Sequence, residues 1–155
     1  MQVEMKLASL DEMYLVHAVM RKAFEEYRDV LIPPSGALRE SIEDIVKKTS
    51  SGGRAMLAEI ENVAVGSAQF TLHEDHIWVG RISVLPSHRS QGIGRQMMKY
   101  IEEYARQQGL NEARLGVRQS LPGNVSFYQK LQYEIVAKKA HPSGVGFWYE
   151  MRKVL

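Results

Sequence analysis

A loop with two glycines, placed between a strand pattern and a helix pattern, is the feature that most limits what this chain can fold into. Residues 84–94 read Val-Leu-Pro-Ser-His-Arg-Ser-Gln-Gly-Ile-Gly, and an amphipathic helical pattern begins at once. Such a junction directs several backbone N–H groups and the positive end of a helix dipole at one place. Gly92 and Gly94 let a ligand approach the backbone where a Cβ would clash, and Arg89 can add a charge-assisted contact. The loop therefore predicts a site for phosphate or pyrophosphate.

Two well-known phosphate-binding loops do not fit these residues. A dinucleotide fingerprint requires a third glycine after Gly-x-Gly, but this chain continues Arg95-Gln96-Met97. A Walker loop requires Gly-Lys-Ser/Thr, which the sequence lacks. An ordinary strand-to-helix loop is the alternative, and the fixed spacing of Val84, Pro86 and Arg89 before the glycines counts against it.

Apolar periodicity divides the chain into helices and strands. A strand is predicted at residues 2–7, and Ser9 with Glu12 forms a capping box for a helix that ends near Arg28. This helix is predicted to carry inward Tyr14, Leu15, Ala18, Val19 and Phe24. The other predicted elements are a helix at 38–48, strands at 54–60, 63–72 and 76–84, a helix after the glycine loop, a strand at 113–118, a helix at 122–131, and a hairpin of strands 133–140 and 146–154. This order predicts one mixed α/β domain over residues 1–155.

The helix after the glycine loop has a clear apolar side. Its predicted inner side consists of Ile93, Met97, Ile101 and Ala105. Its predicted solvent side consists of Arg95, Lys99, Glu102 and Arg106. The predicted apolar stripe of the helix at 38–48 consists of Ile42, Ile45 and Val46.

Composition argues against several classes of protein. The chain carries 20 basic and 18 acidic residues, a net charge of +2, which is too small for a nucleic-acid binder that depends on a broad positive field. No apolar stretch approaches the ~18 residues of a membrane span, and the first residues lack the pattern of a signal peptide. The absence of cysteine excludes disulfides and a cysteine nucleophile and fits a reducing compartment. We therefore expect a cytoplasmic protein with no nucleic-acid or membrane partner.

Two segments of the chain are similar to the motifs of one known family. Val84, Pro86, Arg89, Gly92 and Gly94 fit the pattern Val-x-Pro-x-x-(Arg/Gln)-x-x-Gly-x-(Gly/Ala), and residues 127–133 read Phe-Tyr-Gln-Lys-Leu-Gln-Tyr. Together they resemble the acetyl-CoA signature and the Phe-Tyr-x-Lys-Leu-Gly-(Phe/Tyr) segment of the GNAT superfamily of acyl-CoA-dependent N-acetyltransferases, over roughly residues 54 to 154. The resemblance implies an α/β (α+β) fold with a central mixed, mostly antiparallel sheet that is flanked by helices and splayed at the acetyl-CoA site.

The resemblance also implies acetyl-CoA as cosubstrate and no metal. The pantetheine arm would pair with the backbone of a strand end, and the pyrophosphate would rest on the glycine loop. The residues expected to contact the cosubstrate are Ile82, Ser83, Val84, Arg89, Ser90, Gln91, Gly92, Ile93, Gly94, Arg95, Asn124 and Tyr128. Tyr128 is also the expected catalytic acid, which protonates the CoA thiolate as it leaves. Packing against the cofactor is the alternative role for Tyr128.

The activity implied by the resemblance is acetyl transfer to the primary amine of a small molecule or a peptide. The amine would attack the thioester directly, because the chain has no cysteine that could carry the acetyl group. A non-catalytic acyl-CoA-binding sensor or interaction module on the same fold is the alternative. The acceptor amine, the length of the acyl group and the choice between a monomer and a homodimer are left open by the sequence.

Asn124 and Arg81 have two explanations each, and Gln132 departs from the family's motif. Asn124 either bonds the cofactor or caps the short helix, and its close spacing to Tyr128 favours capping. Arg81, in an otherwise apolar strand, either holds a substrate carboxylate or pairs with an acid across the sheet, and pairing is favoured. Gln132 replaces the family's glycine, so it is expected to need a left-handed backbone at a cost of ~1 kcal/mol or more.

The sequence does not single out a general base. Residues 78–81 and 115–117, where the family often has a glutamate, contain no acid, which leaves His76 or ordered water as the proton acceptor. His73 and His76 alone are too weak a pattern for a metal site. Four glutamates on the two N-terminal helices either form a solvated face or steer a cationic amine by their charge: Glu25, Glu26, Glu40 and Glu43.

Overall fold

One seven-stranded sheet organises residues 2–155, the part of the chain that the computed structural model describes. Its strands are β1 (Glu4–Leu7), β2 (Gly53–Ile60), β3 (Val63–Leu72), β4 (Ile77–Val84), β5 (Glu112–Arg118), β6 (Glu134–Ala140) and β7 (Phe147–Val154). The α-helices are α1 (Met13–Phe24), α2 (Ile42–Lys48), α3 (Ile93–Gln107) and α4 (Pro122–Lys130). The predicted order of helices and strands and the α/β class are confirmed.

The sheet is antiparallel except at its centre. The strands lie in the order β1-β2-β3-β4-β5-β7-β6, and only the pair β4 and β5 is parallel in this part of the chain, residues 2–155. Helix α3 makes the crossover between these two strands, since parallel neighbours cannot be joined by a tight turn. The expected mixed, mostly antiparallel sheet is therefore confirmed.

Helices cover both faces of the sheet. Successive side chains of β2 point to opposite faces, so Ala55 and Leu57 pack with α1 and α2, whereas Met56 and Ala58 pack with α3. The predicted inner side of α3 is buried as expected: Ile93, Met97, Ile101 and Ala105. Burial of about 25 cal/mol per Å² of apolar surface holds each helix against the sheet.

Strands β4 and β5 begin as neighbours and then separate. Their paired residues are Ile77↔Ala113, Trp78↔Arg114 and Val79↔Leu115. On its other side β4 contains a β-bulge, because Ser67 lies opposite Ser83 whereas Gln69 lies opposite Gly80. Arg81 has a left-handed φ of 53° in this bulge. The unpaired ends of β4 and β5 form the expected splay in the sheet.

Helix α1 packs on the sheet with a side that agrees only in part with the prediction, since Val19 is buried as predicted and Leu15 and Phe24 pack against the core. Its buried residues are Met13, Val16, Val19, Met20 and Ala23. Of the predicted inner residues, Tyr14 is 58% exposed and Ala18 is also exposed. Apolar residues occupy so many positions of this helix that its periodicity fits more than one side. The side that packs against the sheet carries long apolar residues. It leaves the Tyr14 hydroxyl in solvent.

Helix α2 is shorter than predicted. Leu38 belongs to a preceding 3₁₀ turn, and the helix begins only at Ile42. A capping box explains this start, since Asp44 N–H donates to Ser41 Oγ at 3.1 Å and Ser41 N–H donates to the Asp44 carboxylate at 2.9 Å. Of the predicted apolar stripe, only Ile45 is buried.

Glu102 lies on the buried side of α3, which corrects its assignment to the solvent side. It is 4% exposed. The Tyr133 hydroxyl donates to Glu102 at 2.9 Å, and Lys153 donates to its other oxygen at 2.9 Å. These partners satisfy a carboxylate that would otherwise be costly to bury.

The connection between α4 and β6 follows the sequence. Gln132 has a left-handed φ of 77°, as expected for a residue that replaces glycine.

Within residues 2–155, no helix is both long and apolar enough to cross a bilayer.

Candidate active site

A cleft of about 520 Å³ lies at the end of β4, beside the glycine loop. It is bounded by the C-terminal end of α1, the end of β4, the N-terminal turn of α3 and the start of α4. We call it the glycine-loop cleft. The structure brings the residues predicted to hold the cosubstrate to its lining, with the exception of Gln91 and Tyr128: Ile82, Ser83, Val84, Arg89, Ser90, Gly92, Ile93, Gly94, Arg95 and Asn124.

The glycine loop presents its backbone to this cleft. Ser90 and Gly92 have left-handed φ values of 63° and 79°, which curl the loop into a concave turn. The first intrahelical hydrogen bond of α3 runs from Gln96 N–H to the Gly92 carbonyl at 3.1 Å, so the N–H groups before Gln96 are free of the helix ladder. A Cβ at Gly94 would lie 3.3 Å from the Phe127 ring. The position therefore admits little more than glycine once a ligand is bound there.

Arg89 connects the loop to the end of α1. Its guanidinium donates to the Ala23 carbonyl at 3.0 Å and to the Val84 carbonyl at 3.3 Å, and it forms an ion pair with Glu26. Glu26 lines the same cleft. A negative charge thus lies within the predicted anion site and shares Arg89 with any phosphate that enters.

Asn124 does not cap α4, which corrects the prediction. Leu121 stands at the N-cap position, and Asn124 lies in the first turn of the helix. It lines the cleft together with Tyr27, whose pKa is raised because the phenol is buried. Tyr27 was not identified from sequence, and Glu26 was identified only as one of four helix glutamates, since its partner Arg89 is far away in the chain.

A second cleft, of about 490 Å³, opens between the separated ends of β4 and β5 and the β6–β7 hairpin. Trp78 and Trp148 line it, and we call it the tryptophan cleft. It shares with the glycine-loop cleft Phe24, Leu121 and Asn124. The two cavities are therefore neighbours, separated by a wall of three side chains.

Tyr128 lines the tryptophan cleft rather than the glycine-loop cleft. Its ring meets Phe127 edge-to-face with centroids 5.0 Å apart, and Tyr133 in the same way at 5.9 Å. Burial raises the pKa of the Tyr128 phenol well above its ordinary value, and the neighbouring Tyr27 raises it further. The hydroxyl is therefore protonated at neutral pH and can act as a proton donor.

Two guanidinium groups line the tryptophan cleft. Arg118 donates to the carbonyl oxygens of Pro33 and Pro34 at 2.8 and 3.4 Å. Arg81 lies 3.6 Å from Glu40, which comes from the segment before α2 and not from across the sheet as predicted. Arg81 both lines the cleft and contacts an acid, so its two predicted roles are compatible.

Glu40 lies at the centre of a buried polar network. Its carboxylate accepts from Lys48 at 2.6 Å and from Gln69 at 2.8 Å. Burial alone would raise the pKa of Glu40, but the hydrogen bonds from Lys48 and Gln69 and the charge of Arg81 outweigh it and lower the pKa. This network ties the segment before α2 to β3 and to the β4 bulge.

The four N-terminal glutamates do not form one face. Glu40 is only 8% exposed and is engaged in its network. Glu26 pairs with Arg89 in the glycine-loop cleft, and Glu25 pairs with Arg28. Glu43 is exposed on α2. The hypothesis that these residues jointly steer a cationic amine has no support in this arrangement.

The histidines near the sheet have distinct surroundings. His76, one of the predicted proton acceptors, bonds Asp75 at 2.6 Å and lines neither of the two clefts. His73 stacks on it with ring centroids 4.5 Å apart. Within residues 2–155, no group of three or more His, Cys, Asp or Glu side chains could hold a metal ion.

His141, on the β6–β7 hairpin, lines the tryptophan cleft and was not identified from sequence. Its Nδ1 accepts from Ser143 N–H at 3.2 Å and lies 3.0 Å from Ser143 Oγ. In the neutral imidazole the proton then resides on Nε2, so the ring offers a donor. The hairpin is distant in sequence from Tyr128 and the loop, and no motif connects them.

Comparison with known proteins agrees with this architecture. The chain matches the family described as Acetyltransferase (GNAT) family over residues 15–133. It is 29% identical over 122 residues to human N-acetyltransferase 8B, an alignment that covers 74% of this chain and 51% of that protein. The chain thus spans about half the length of this human relative.

Solved structures share the fold at low sequence identity. PaiA N-acetyltransferase from Thermoplasma acidophilum, in complex with coenzyme A, superposes with a TM-score of 0.83 at 16% identity, covering 100% of both chains. A GNAT family acetyltransferase from Elizabethkingia anophelis with acetyl-CoA bound superposes with a TM-score of 0.75 at 17% identity, covering 99% of this chain and 98% of the other.

Proposed function

Because the chain belongs to the GNAT family of acetyltransferases, we propose that it moves the acetyl group of acetyl-CoA to a primary amine. Acetyl-CoA occupies the glycine-loop cleft, and the amine enters through the tryptophan cleft. The residues that hold the cosubstrate are those predicted from sequence and gathered at the first cleft, from Ile82 to Arg95, together with Asn124.

The separation of β4 and β5 is the observation that carries this proposal. Pairing ends at Val79 and Leu115, so the strand ends have no partner in each other. An extended pantetheine amide chain can add to such an edge through backbone hydrogen bonds. The glycine loop lies where the phosphates of the same molecule would follow, and its free N–H groups suit them. One continuous ligand thus explains both features.

The reaction proceeds by direct attack. The amine nitrogen forms a bond to the thioester carbonyl carbon, and backbone N–H groups near Val84 stabilise the resulting oxyanion. The carbon–sulfur bond then breaks, and the departing thiolate takes a proton from the Tyr128 hydroxyl, which regains a proton from water. The amine reacts in its neutral form and its proton leaves through water, since the lining of the tryptophan cleft includes neither Asp nor Glu within residues 2–155 and Nδ1 of His141 already accepts from Ser143 N–H.

Binding and turnover test the proposal separately. Acetyl-CoA at about 100 times its dissociation constant should stabilise the folded protein by about 2.7 kcal/mol and raise its Tm. Gly94→Val should abolish this rise, because a side chain at this position in the first turn of α3 would contact the Phe127 ring of α4. Gly123→Val, at a position where a Cβ has no neighbour within 4 Å, is the matched control and should retain the rise. An unchanged melting curve of the folded parent in millimolar acetyl-CoA contradicts the proposal.

Release of CoA from acetyl-CoA in the presence of a library of amines measures catalysis. At least one primary amine should accelerate release well above the rate without amine. Binding of acetyl-CoA with no acceleration by any amine would instead support the non-catalytic acyl-CoA-binding module.

A further inference from the structure

The tryptophan cleft contains more positive than negative charge. Arg81 and Arg118 line it, and the lining residues within 2–155 include no Asp or Glu. Glu40 contacts Arg81 at 3.6 Å, but the same carboxylate also binds Lys48 at 2.6 Å. One buried carboxylate thus faces two cations, so a positive charge remains for a ligand to neutralise.

Arg118 is held in place by neutral groups alone. Its hydrogen bonds go to the carbonyl oxygens of Pro33 and Pro34, and within residues 2–155 no carboxylate lies within 4.0 Å of it. Burial and the nearby charge of Arg81 lower the pKa of Arg118, as expected for two cations that face one cavity. An anion between them would relieve both effects.

Arg81 is held in an uncommon backbone conformation. Its φ of 53° is left-handed, and the β4 bulge fixes this geometry at the rim of the cleft. Its buried Nε has no hydrogen-bond partner within residues 2–155. Strained residues and spare donors of this kind concentrate where a ligand binds.

An aromatic wall lies beside these two arginines. Trp78 and Trp148 meet edge-to-face with ring centroids 6.4 Å apart and an interplanar angle of 86°. Gly116 leaves room for them, since a Cβ there would lie 3.0 Å from Trp148 and 3.6 Å from Trp78. Such a wall suits an aromatic or large apolar group.

We propose that the acceptor is an amino carboxylate with an aromatic or large apolar side chain, such as an aromatic α-amino acid. Its carboxylate binds Arg118 and Arg81, its side chain lies against the two tryptophans, and its amine points toward Tyr128. A planar carboxylate matches the guanidinium fork, whereas a second cationic group would be repelled. This inference rests on the proposed acetyl transfer and specifies its substrate.

A binding measurement tests the cleft without any turnover. Both tryptophans of the chain line it, so intrinsic tryptophan fluorescence reports on its occupant. The probes are N-acetyl-L-phenylalanine, which has the carboxylate, and N-acetyl-L-phenylalaninamide, which lacks the charge. The acid should bind at least about tenfold more tightly, because its hydrogen bonds to the guanidinium groups are charge-assisted, whereas those of the amide are not. Equal affinity for acid and amide overturns the inference.

Variants locate the effect at Arg118. Arg118→Gln should weaken binding of the acid by about tenfold or more and leave the amide unchanged. Arg118→Lys keeps the charge without the fork, so its affinity for the acid should lie between those of the parent and Arg118→Gln. Arg152→Gln, an exposed arginine on β7 away from the cleft, should match the parent. An acid affinity that does not change in either Arg118 variant, each confirmed as folded by its melting curve, overturns the assignment.

Turnover links the cleft to the reaction. Rates of CoA release are compared for L-phenylalanine, L-phenylalaninamide and 1,4-diaminobutane. Phenylalanine should have the highest kcat/KM, by about tenfold or more over its amide, and Arg118→Gln should remove this preference. The amino group of the amide loses its proton more readily than that of the acid, so more of the amide is in the reactive neutral form. This difference alone would favour the amide, which is the opposite of the expected result. A preference of the parent for the amide or the diamine overturns the inference.

The two proposals fail in different ways. If acid-selective binding holds while no amine is acetylated, the acetyl transfer fails and the carboxylate site stands. If the amide or the diamine is acetylated with a kcat/KM equal to or higher than that of the acid, the acetyl transfer stands and the carboxylate inference fails.

Discussion

Tyr128 is the residue on which the proposed chemistry most depends. Its phenol lines the tryptophan cleft beside the three side chains that border both cavities. Burial and Tyr27 raise its pKa, so the group is a reliable carrier of a proton, though a weak acid. Hydrogen bonding to a developing thiolate lets such a donor assist the leaving group.

Replacement of Tyr128 by phenylalanine should lower kcat by about 100-fold or more, because it removes the proton donor and keeps the ring. Affinity for acetyl-CoA, measured by thermal shift, should be nearly unchanged. Tyr14→Phe is the control, since that tyrosine is 58% exposed on α1. Loss of acetyl-CoA affinity with kcat retained would instead show that Tyr128 packs against the cofactor.

The raised pKa of Tyr128 also predicts the pH profile. An acid catalyst must be protonated, so activity would fall only as the pH passes its pKa in the folded protein. Because burial moves that pKa above the ordinary value of about 10, kcat should not fall with Tyr128 ionisation below pH 10. On the acid side, kcat/KM should rise with pH as the amine loses its proton. A descending limb near pH 8 that disappears in Tyr128→Phe would contradict this assignment.

The segment before α2 is connected to the sheet by a buried polar network. Glu40 reaches from it into a buried network with Lys48, Gln69 and Arg81. Helix α2 itself is short and contributes one buried side chain, Ile45. The network acts together with the buried Ala37 and Leu38 of this segment and connects it to Arg81 in the β4 bulge.

Glu40→Gln should therefore lower the free energy of unfolding at pH 7 by about 2–4 kcal/mol, because Lys48 and Arg81 lose a buried partner. The pKa of Glu40 is lowered in the folded protein. Its stabilisation is thus fully present above the unfolded carboxyl pKa of about 4.3 and is lost as the pH falls through the lower folded value. Urea unfolding from pH 7 downward should show the parent and variant converging.

Glu43→Gln provides the matched control for that series. Glu43 is an exposed residue of α2 in the same part of the chain, so its change should leave the free energy of unfolding within about 0.5 kcal/mol of the parent. A difference between Glu40→Gln and the parent that stays constant with pH would show that the carboxylate charge is not what stabilises the network.

The succession of elements could be predicted from the sequence because it depends on local signals. The glycine loop and the left-handed position at Gln132 are each encoded within a few residues. The inner side of α1 could be predicted only in part, because apolar residues fill too many of its positions. The buried state of Glu102 depends on Tyr133 and Lys153, whose proximity is a result of the fold.

At the scale of the whole molecule, one of the two clefts was easier to predict from sequence than the other. The glycine-loop cleft comes mainly from one continuous segment, and nearly all of the residues predicted to hold the cosubstrate line it, whereas the lining residues from α1 and most of those from α4 were not predicted. The tryptophan cleft gathers residues from the segment near Gly36, from β4 and β5, and from the β6–β7 hairpin. No spacing in the sequence connects these segments. Of its lining, the sequence indicated Arg81, as a charge in an apolar strand, and Asn124 and Tyr128, which lie in or near the second motif.

Glu26, which follows α1, forms an ion pair with Arg89 of the glycine loop, and this pair can be tested in the glycine-loop cleft. Glu26→Gln removes a negative charge from the phosphate site and frees Arg89. The KM for acetyl-CoA should fall by roughly two- to fivefold, as expected for a partly exposed ion pair, while the KM for the amine is unchanged. Glu25→Gln, whose partner is Arg28, is the control and should match the parent. A higher KM for acetyl-CoA in Glu26→Gln would show that the pair positions the loop.

The wall shared by the two clefts determines the order of events during turnover. Phe24, Leu121 and Asn124 border both cavities, so both substrates can be bound at the same time, and no group is needed to store the acetyl unit between them. Initial rates at several fixed acetyl-CoA concentrations should therefore give double-reciprocal lines that intersect. Labelled CoA should not exchange into acetyl-CoA when the amine is absent. Parallel lines accompanied by such exchange would reveal a covalent intermediate and a different enzyme mechanism.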